Sequence, residues 1–124
     1  MRIFKNSWFI RFSRQEKISD HTLIEAINNA EKGLIDADLG GGIIKQRIAR
    51  PGQGKSGGYR TIIIFKRGER AFFVYGFAKS KRENLGKHEV DVYKKAAKEL
   101  LVLSDDQLDR LLQTGALTEV AYDG

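Results

Sequence analysis

Eleven lysines and arginines fall between Ile43 and Arg82 with Glu69 as the single acid among them, a local balance of +10, while the rest of the 124-residue chain balances to −4. They are Lys45, Arg47, Arg50, Lys55, Arg60, Lys66, Arg67, Arg70, Lys79, Lys81 and Arg82. Like charges drawn together repel one another unless a polyanion joins them, so a cluster of this kind points to phosphate chemistry, with nucleic acid as the first candidate partner. The bland reading is a solvated charged face, and for Lys66, Arg67 and Arg70 it is the preferred one, because these residues flank a turn away from the others.

Pro51-Gly-Gln-Gly-Lys-Ser-Gly-Gly58 lies inside the block and superficially resembles a phosphate-binding loop. The spacing fails, because Gly52 stands too close to the Gly54-Lys55 pair, and the loop leads into a strand pattern instead of the helix whose N-terminus would hold the phosphates. Its glycines still permit close backbone approach to a phosphate, with Lys55 beside them. Cysteine is absent, and His21 and His88 have no ligand-like spacing, so neither a disulfide framework nor a metal site is expected. Near the N-terminus the stretch Ser7 to Phe12 is interrupted by Arg11, so it forms neither a signal-peptide core nor a membrane span, and a cytoplasmic location is expected.

Three strand patterns must position the basic residues: Ile43 to Arg50 after the Gly40-Gly41-Gly42 turn, Tyr59 to Lys66, and Arg70 to Lys79, the last two joined by Arg67-Gly68-Glu69. In an antiparallel meander the end of the first strand, the start of the second and the end of the third share one edge. That edge gathers Arg47, Arg50, Arg60, Lys79, Lys81 and Arg82. Tyr59, Phe73, Tyr75 and Phe77 have faces on which bases can stack, but alternation makes most of them core.

The flanks read as helices. Arg2 to Phe4 is a short strand, after which Asn6 or Ser7 caps a helix presenting Trp8, Phe9 and Phe12 on one side. A second helix starts at Ser19 or Asp20, carries Leu23, Ile24, Ile27 and Ala30, and stops at Gly33. His88 to Leu103 has an apolar stripe that includes Tyr93. Ser104-Asp105-Asp106-Gln107 fits a capping box for a last helix stopped by Gly115. Leu117 to Tyr122 adds an edge strand or covers the core. Length and composition give one α+β domain over residues 1–124, with 104–124 as a helical C-terminal extension. From Glu99 onward six acids face one base, Arg110, and are expected to be solubilising surface.

The stretch GGIIKQRIARPGQGKSGGYRTIIIF followed by FFVYGFAKSKRENL resembles the RelE/HigB toxins of bacterial type II toxin-antitoxin systems, in particular a HigB-like branch with a Gly-Lys-Ser-Gly-Gly loop. The likeness runs from the N-terminal helices to about Leu103. Its most specific parts are the Gly-Gly-x-Arg strand start and the aromatic-x-Lys turn after the third strand. It implies a small antiparallel sheet of about three to five strands packed against N-terminal and C-terminal helices. It also implies metal-independent, ribosome-dependent cleavage of messenger RNA, in which the ribose 2′-OH attacks the adjacent phosphate to leave a 2′,3′-cyclic phosphate and a 5′-OH.

Carried over by position, Lys45 and Arg47 orient the ribose and Arg60 stabilises the transition-state phosphate. Lys79 and Arg82 neutralise or protonate the leaving oxygen, while Arg50, Lys55 and Lys81 grip RNA. Ser80 stands where the pattern has an arginine. The C-terminal aromatic or histidine that often serves as base is replaced around Leu85 and Gly86, so proton transfer would fall to Lys45 or Lys79. The implied partners are the ribosome, mRNA and a cognate antitoxin of the DNA-binding helix-turn-helix type. The related ParE branch, which shares the fold and inhibits DNA gyrase without cutting RNA, supplies the alternative, as does a binding-only protein of the same fold.

Overall fold

Ile62 to Phe65 is an unbroken apolar run, which a strand tolerates only where both of its faces are covered. In the computed structural model, which describes residues 1–50, 57–82 and 84–120, that run lies inside a six-stranded sheet with helices on both sides. The elements in chain order are β1 (Arg2–Asn6), α1 (Ser7–Gln15), α2 (Asp20–Glu31), β2 (Ala37–Gly40), β3 (Ile43–Ile48), β4 (Tyr59–Lys66), β5 (Arg70–Ala78), α3 (Lys87–Leu100), α4 (Asp105–Gln113) and β6 (Leu117–Glu119). The sheet runs β2-β3-β4-β5-β1-β6.

The pleat sorts side chains between two cores. Ile3, Ile44, Ile63 and Phe73 pack with Phe9 of α1 and with Leu23 and Ile27 of α2. Their chain neighbours Phe4, Ile43, Ile62 and Phe72 pack with Ala97 of α3 and Leu108 of α4. Two glycines permit the closest approaches. A Cβ at Gly58 would stand 2.1 Å from the Ile48 carbonyl oxygen, and one at Gly76 would stand 2.6 Å from the Phe12 ring, so β4 can begin beside β3 and α1 can press onto β5 only where no side chain intervenes.

The caps follow expectation: Asn6 accepts from the Phe9 N–H, Ser19 from Thr22, and Ser104 and Gln107 form the reciprocal capping box. The sheet departs from the expected antiparallel sheet of about three to five strands, because β2 and β6 extend it to six and β1 pairs with β5 in parallel. All other strand pairs are antiparallel. In the parallel pair Phe4 stacks on Phe72 with centroids 5.1 Å apart. Residues 104–120 carry α4 and then the edge strand β6, so helix accounts for only part of the expected C-terminal extension.

Arg70 and three of the C-terminal acids contradict their reading as solvated surface. Arg70 donates to the carbonyl of Leu100, the last residue of α3, and to that of Leu103 just beyond it, tying the end of the helix to β5. The C-terminal acids hold Arg2. Its guanidinium reaches Glu119 at 3.0 Å, Asp105 at 3.1 Å and Asp109 at 2.9 Å, fastening α4 and β6 to β1. These bonds, Glu119 foremost, raise the Arg2 pKa further above its ordinary value.

Arg2→Ala should lower stability by about 1–2 kcal/mol, a figure kept small because the carboxylates face solvent. The loss should shrink at high salt, so denaturant midpoints at two ionic strengths check it, and an unchanged midpoint contradicts the lock. Tyr59 gives a pH test. Burial, together with the bond its hydroxyl donates to Glu16, pushes its pKa up. The stability this contributes is complete below the unfolded value near 10 and is lost as pH climbs through the raised folded value. The advantage of the wild type over Tyr59→Phe should therefore narrow above about pH 10, as thermal melts at stepped pH would show.

Candidate active site

Strand register places the central cations before any side-chain detail is considered. In β3 and β4, Arg47 lies opposite Arg60 and Lys45 opposite Ile62, and Arg60 in turn lies opposite Phe77 of β5. Lys45, Arg47 and Arg60 thus share the face on which Ile43, Ile62 and Phe77 meet α3. Near this end of the sheet Lys45, Arg47, Arg60 and Lys79 line an open recess of about 230 Å³ together with Asp36 and Asn84.

Arg60 is the deepest of the four cations, only 4% exposed. Its Nε stands 3.7 Å from Asp36 Oδ2, and its buried Nη1 has no hydrogen-bond partner among the described residues. A buried guanidinium N–H without an acceptor is costly, and the recess beside it is where an anion would supply one. Lys45 donates to Asn84 Oδ1 at 2.9 Å, which aims its ammonium along the recess.

Asp36, just before β2, is the carboxylate among these cations. Arg47 Nε donates to its Oδ1 at 2.8 Å, and Lys45 Nζ stands 3.9 Å from its Oδ2. Its backbone N–H donates to the Gln46 side-chain oxygen at 3.0 Å, and buried Gln46 is itself fixed by bonds to the Ala26 and Leu34 carbonyls.

Four of the expected site residues, Lys45, Arg47, Arg60 and Lys79, therefore come together. Arg82 does not line the recess. It pairs with Glu89 of α3 at 2.6 Å and covers the Phe77 ring, 5.5 Å from its centroid. Its Nε and Nη2 also hold the Asn84 carbonyl, at 3.2 and 3.0 Å. Hydrogen bonding between Arg82 and Glu89 raises the pKa of the guanidinium and lowers that of the carboxyl, so the pair stays charged. Arg82 latches the turn that carries Lys79 and Asn84.

Arg50 lies past the end of β3 with its guanidinium 5.6 Å from the Tyr59 centroid, and Lys81 is exposed outside the recess. Lys55 lies outside the described residues. Tyr93 is half-buried, 6.3 Å from the Tyr75 ring, and burial pushes its pKa up. Asp36 and Asn84 were missed from sequence. The Gly40-Gly41-Gly42 turn was the available signal, since a turn before β3 implies a strand before the turn, and pairing Ala37 with Lys45 brings Asp36 to the basic residues.

The described residues hold no group of three or more His, Asp or Glu side chains able to bind a metal ion, and no helix long and apolar enough to cross a membrane. A family model described as the RelE toxin of the RelE/RelB toxin-antitoxin system matches residues 1–120. No curated protein matches the chain.

A recess lined by four cations should bind a short single-stranded, 2′-O-methylated oligonucleotide with a salt dependence of about −2 to −3 in log K against log salt. Lys45→Ala or Lys79→Ala should each flatten that slope by roughly 0.7. Fluorescence anisotropy at stepped salt would measure it, and an unchanged slope in both variants would remove these residues from the phosphate path.

Proposed function

The chain belongs to the RelE toxin family of toxin-antitoxin systems, and from that premise we propose that it is a ribosome-dependent endoribonuclease of the HigB-like branch, which halts translation by cutting mRNA. The observation that carries this reading is the buried Nη1 of Arg60, without a partner among the described residues, beside a recess whose rim holds Lys45, Arg47 and Lys79. Donors fixed before the substrate arrives stabilise charge where it develops, because no reorganisation is needed at the moment of reaction.

In this reading a non-bridging oxygen of the scissile phosphate accepts from Arg60 Nη1. As the ribose 2′-oxygen bonds to phosphorus, charge builds on the equatorial oxygens, which Arg60 and Arg47 stabilise. Lys79, exposed on the turn after β5, gives a proton to the departing 5′-oxygen. Lys45, held by Asn84, neutralises the flanking backbone. Arg82 acts through the turn it latches, and Arg50 and Lys81 bind RNA beyond the recess. The products are a 2′,3′-cyclic phosphate and a 5′-OH.

A family toxin works against an antitoxin. The proposed one is a DNA-binding protein of the helix-turn-helix type, and the proposed compartment is the cytoplasm, where ribosomes are found. The gyrase-inhibiting alternative requires no phosphate-sized recess with an unfilled buried donor.

Primer extension on a reporter mRNA in a reconstituted translation system tests the proposal. Cuts should appear only when ribosomes are present, and Arg60→Ala should slow cutting by about 10²- to 10³-fold. Intact mRNA with wild-type protein and active ribosomes would reject the nuclease reading.

A further inference from the structure

On that nuclease reading, we propose that Asp36 is the general base that takes the proton from the attacking ribose 2′-OH. Lysines and arginines around the recess are cations that stabilise charge and donate protons, and the neutral Asn84 is no base. Among the described residues lining the recess, Asp36 is the one carboxylate.

Its geometry separates its two oxygens. Oδ1 is occupied, accepting from Arg47 Nε at 2.8 Å. Oδ2 is 3.7 Å from Arg60 Nε and 3.9 Å from Lys45 Nζ, beyond hydrogen-bond range, and Lys45 has already given its bond to Asn84. Among the described residues Oδ2 thus accepts no hydrogen bond, and it is held beside the guanidinium whose Nη1 has no partner among them. The 2′-oxygen is only a few bonds from the phosphorus it attacks. A phosphate seated on Arg60 therefore brings the 2′-OH within reach of Oδ2.

Three features suit Asp36 to this task. Its side chain is 13% exposed, so little water competes for the oxygen. Its main chain is fixed through Gln46, which is anchored to α2 at Ala26 and to the following loop at Leu34. The cations facing it, Lys45 and Arg47 from β3, Arg60 from β4 and Lys79 from the turn after β5, also meet the phosphate, so proton removal and charge stabilisation occur in one place.

The step balances. The 2′-O–H bond breaks and its proton goes to Asp36 Oδ2, the 2′-oxygen bonds to phosphorus, the bond from phosphorus to the 5′-oxygen breaks, and Lys79 protonates that oxygen. Asp36 then returns its proton to solvent while Lys79 takes one up.

The competing role is a counter-ion that merely keeps Arg47 and Arg60 in place. Asp36→Asn separates the two, because the amide oxygen can still accept from Arg47 while the basic oxygen is gone. Single-turnover cleavage on programmed ribosomes should fall by about 10²- to 10⁴-fold. Binding of 2′-O-methylated mRNA on the same ribosomes should stay equal or tighten, since a negative charge has been removed. Cleavage within threefold of wild type, or binding lost in parallel with cleavage, would overturn the assignment. Asp36→Ala gives a second reading if the amide variant does not fold: added formate should restore cleavage where equal chloride does not, and no restoration with folded protein also overturns it. Inert wild-type protein would reject the nuclease reading itself, whereas active wild type with an equally active Asp36→Asn rejects only the base.

Discussion

Two arginines face each other across β3 and β4, and the pleat fixes both on the same side of the sheet. Shifting either strand by one residue would separate them, but it would also move Ile44 and Ile63 out of one core and Ile43 and Ile62 out of the other. The packing that stabilises the sheet therefore holds Arg47 against Arg60. Directly opposed like charges destabilise a strand pair, and with Arg60 buried the repulsion is poorly screened. Asp36, Gln46 and the turn before β3 answer this constraint, because they bring a single carboxylate to the arginines from the sheet edge.

That answer is incomplete, and a second cationic site in the chain shows by contrast what a complete one looks like. Arg2 meets three carboxylates, two of its nitrogens bind Glu119, and α4 and β6 are locked in place. Among the described residues around Asp36, one carboxylate serves three cations, with a single ion-pair contact inside 3 Å and one buried donor left without a partner. The Arg2 arrangement is finished without a ligand, which marks it as structural. The Asp36 arrangement keeps unneutralised charge where solvent can enter, and this uncompensated charge distinguishes a site from a fastening.

Much of this was legible in the sequence because local chemistry decided it. Asn6, Ser19 and Ser104 cap as their side chains require, and Tyr59–Lys66 and Arg70–Ala78 carry continuous apolar runs that only strands buried on both faces explain. The recess was legible in part, since an antiparallel meander fixes which strand ends meet and so brings Arg47, Arg60 and Lys79 together, while Arg50, Lys81 and Arg82 stand outside it. What escaped depended on distant partners. Ala37–Gly40 is four residues long, has little strand propensity and exists through its pairing with β3. Missing it hid Asp36. The parallel docking of β1 beside β5 joins segments about half the chain apart, Arg2 pairing with Arg70, and no short-range signal announces it. Arg82 was misplaced because charge alone does not say which way a side chain turns, and Glu89, seven residues on, draws it toward α3.

The Arg82 latch also explains how a turn can present a lysine to the recess. A loop joining β5 to α3 runs over the surface and would by default carry its side chains loosely. Here the Arg82 guanidinium joins the turn to the first turn of α3 through Glu89, to the sheet through the Phe77 ring, and to Asn84 through the backbone carbonyl. Asn84 in turn holds Lys45 of β3. The chain of contacts runs from helix to turn to strand, so Lys79 and Lys45 are positioned by one connected assembly. A cation placed outside the recess thereby contributes to it as well, by fixing the geometry on which preorganised charge depends.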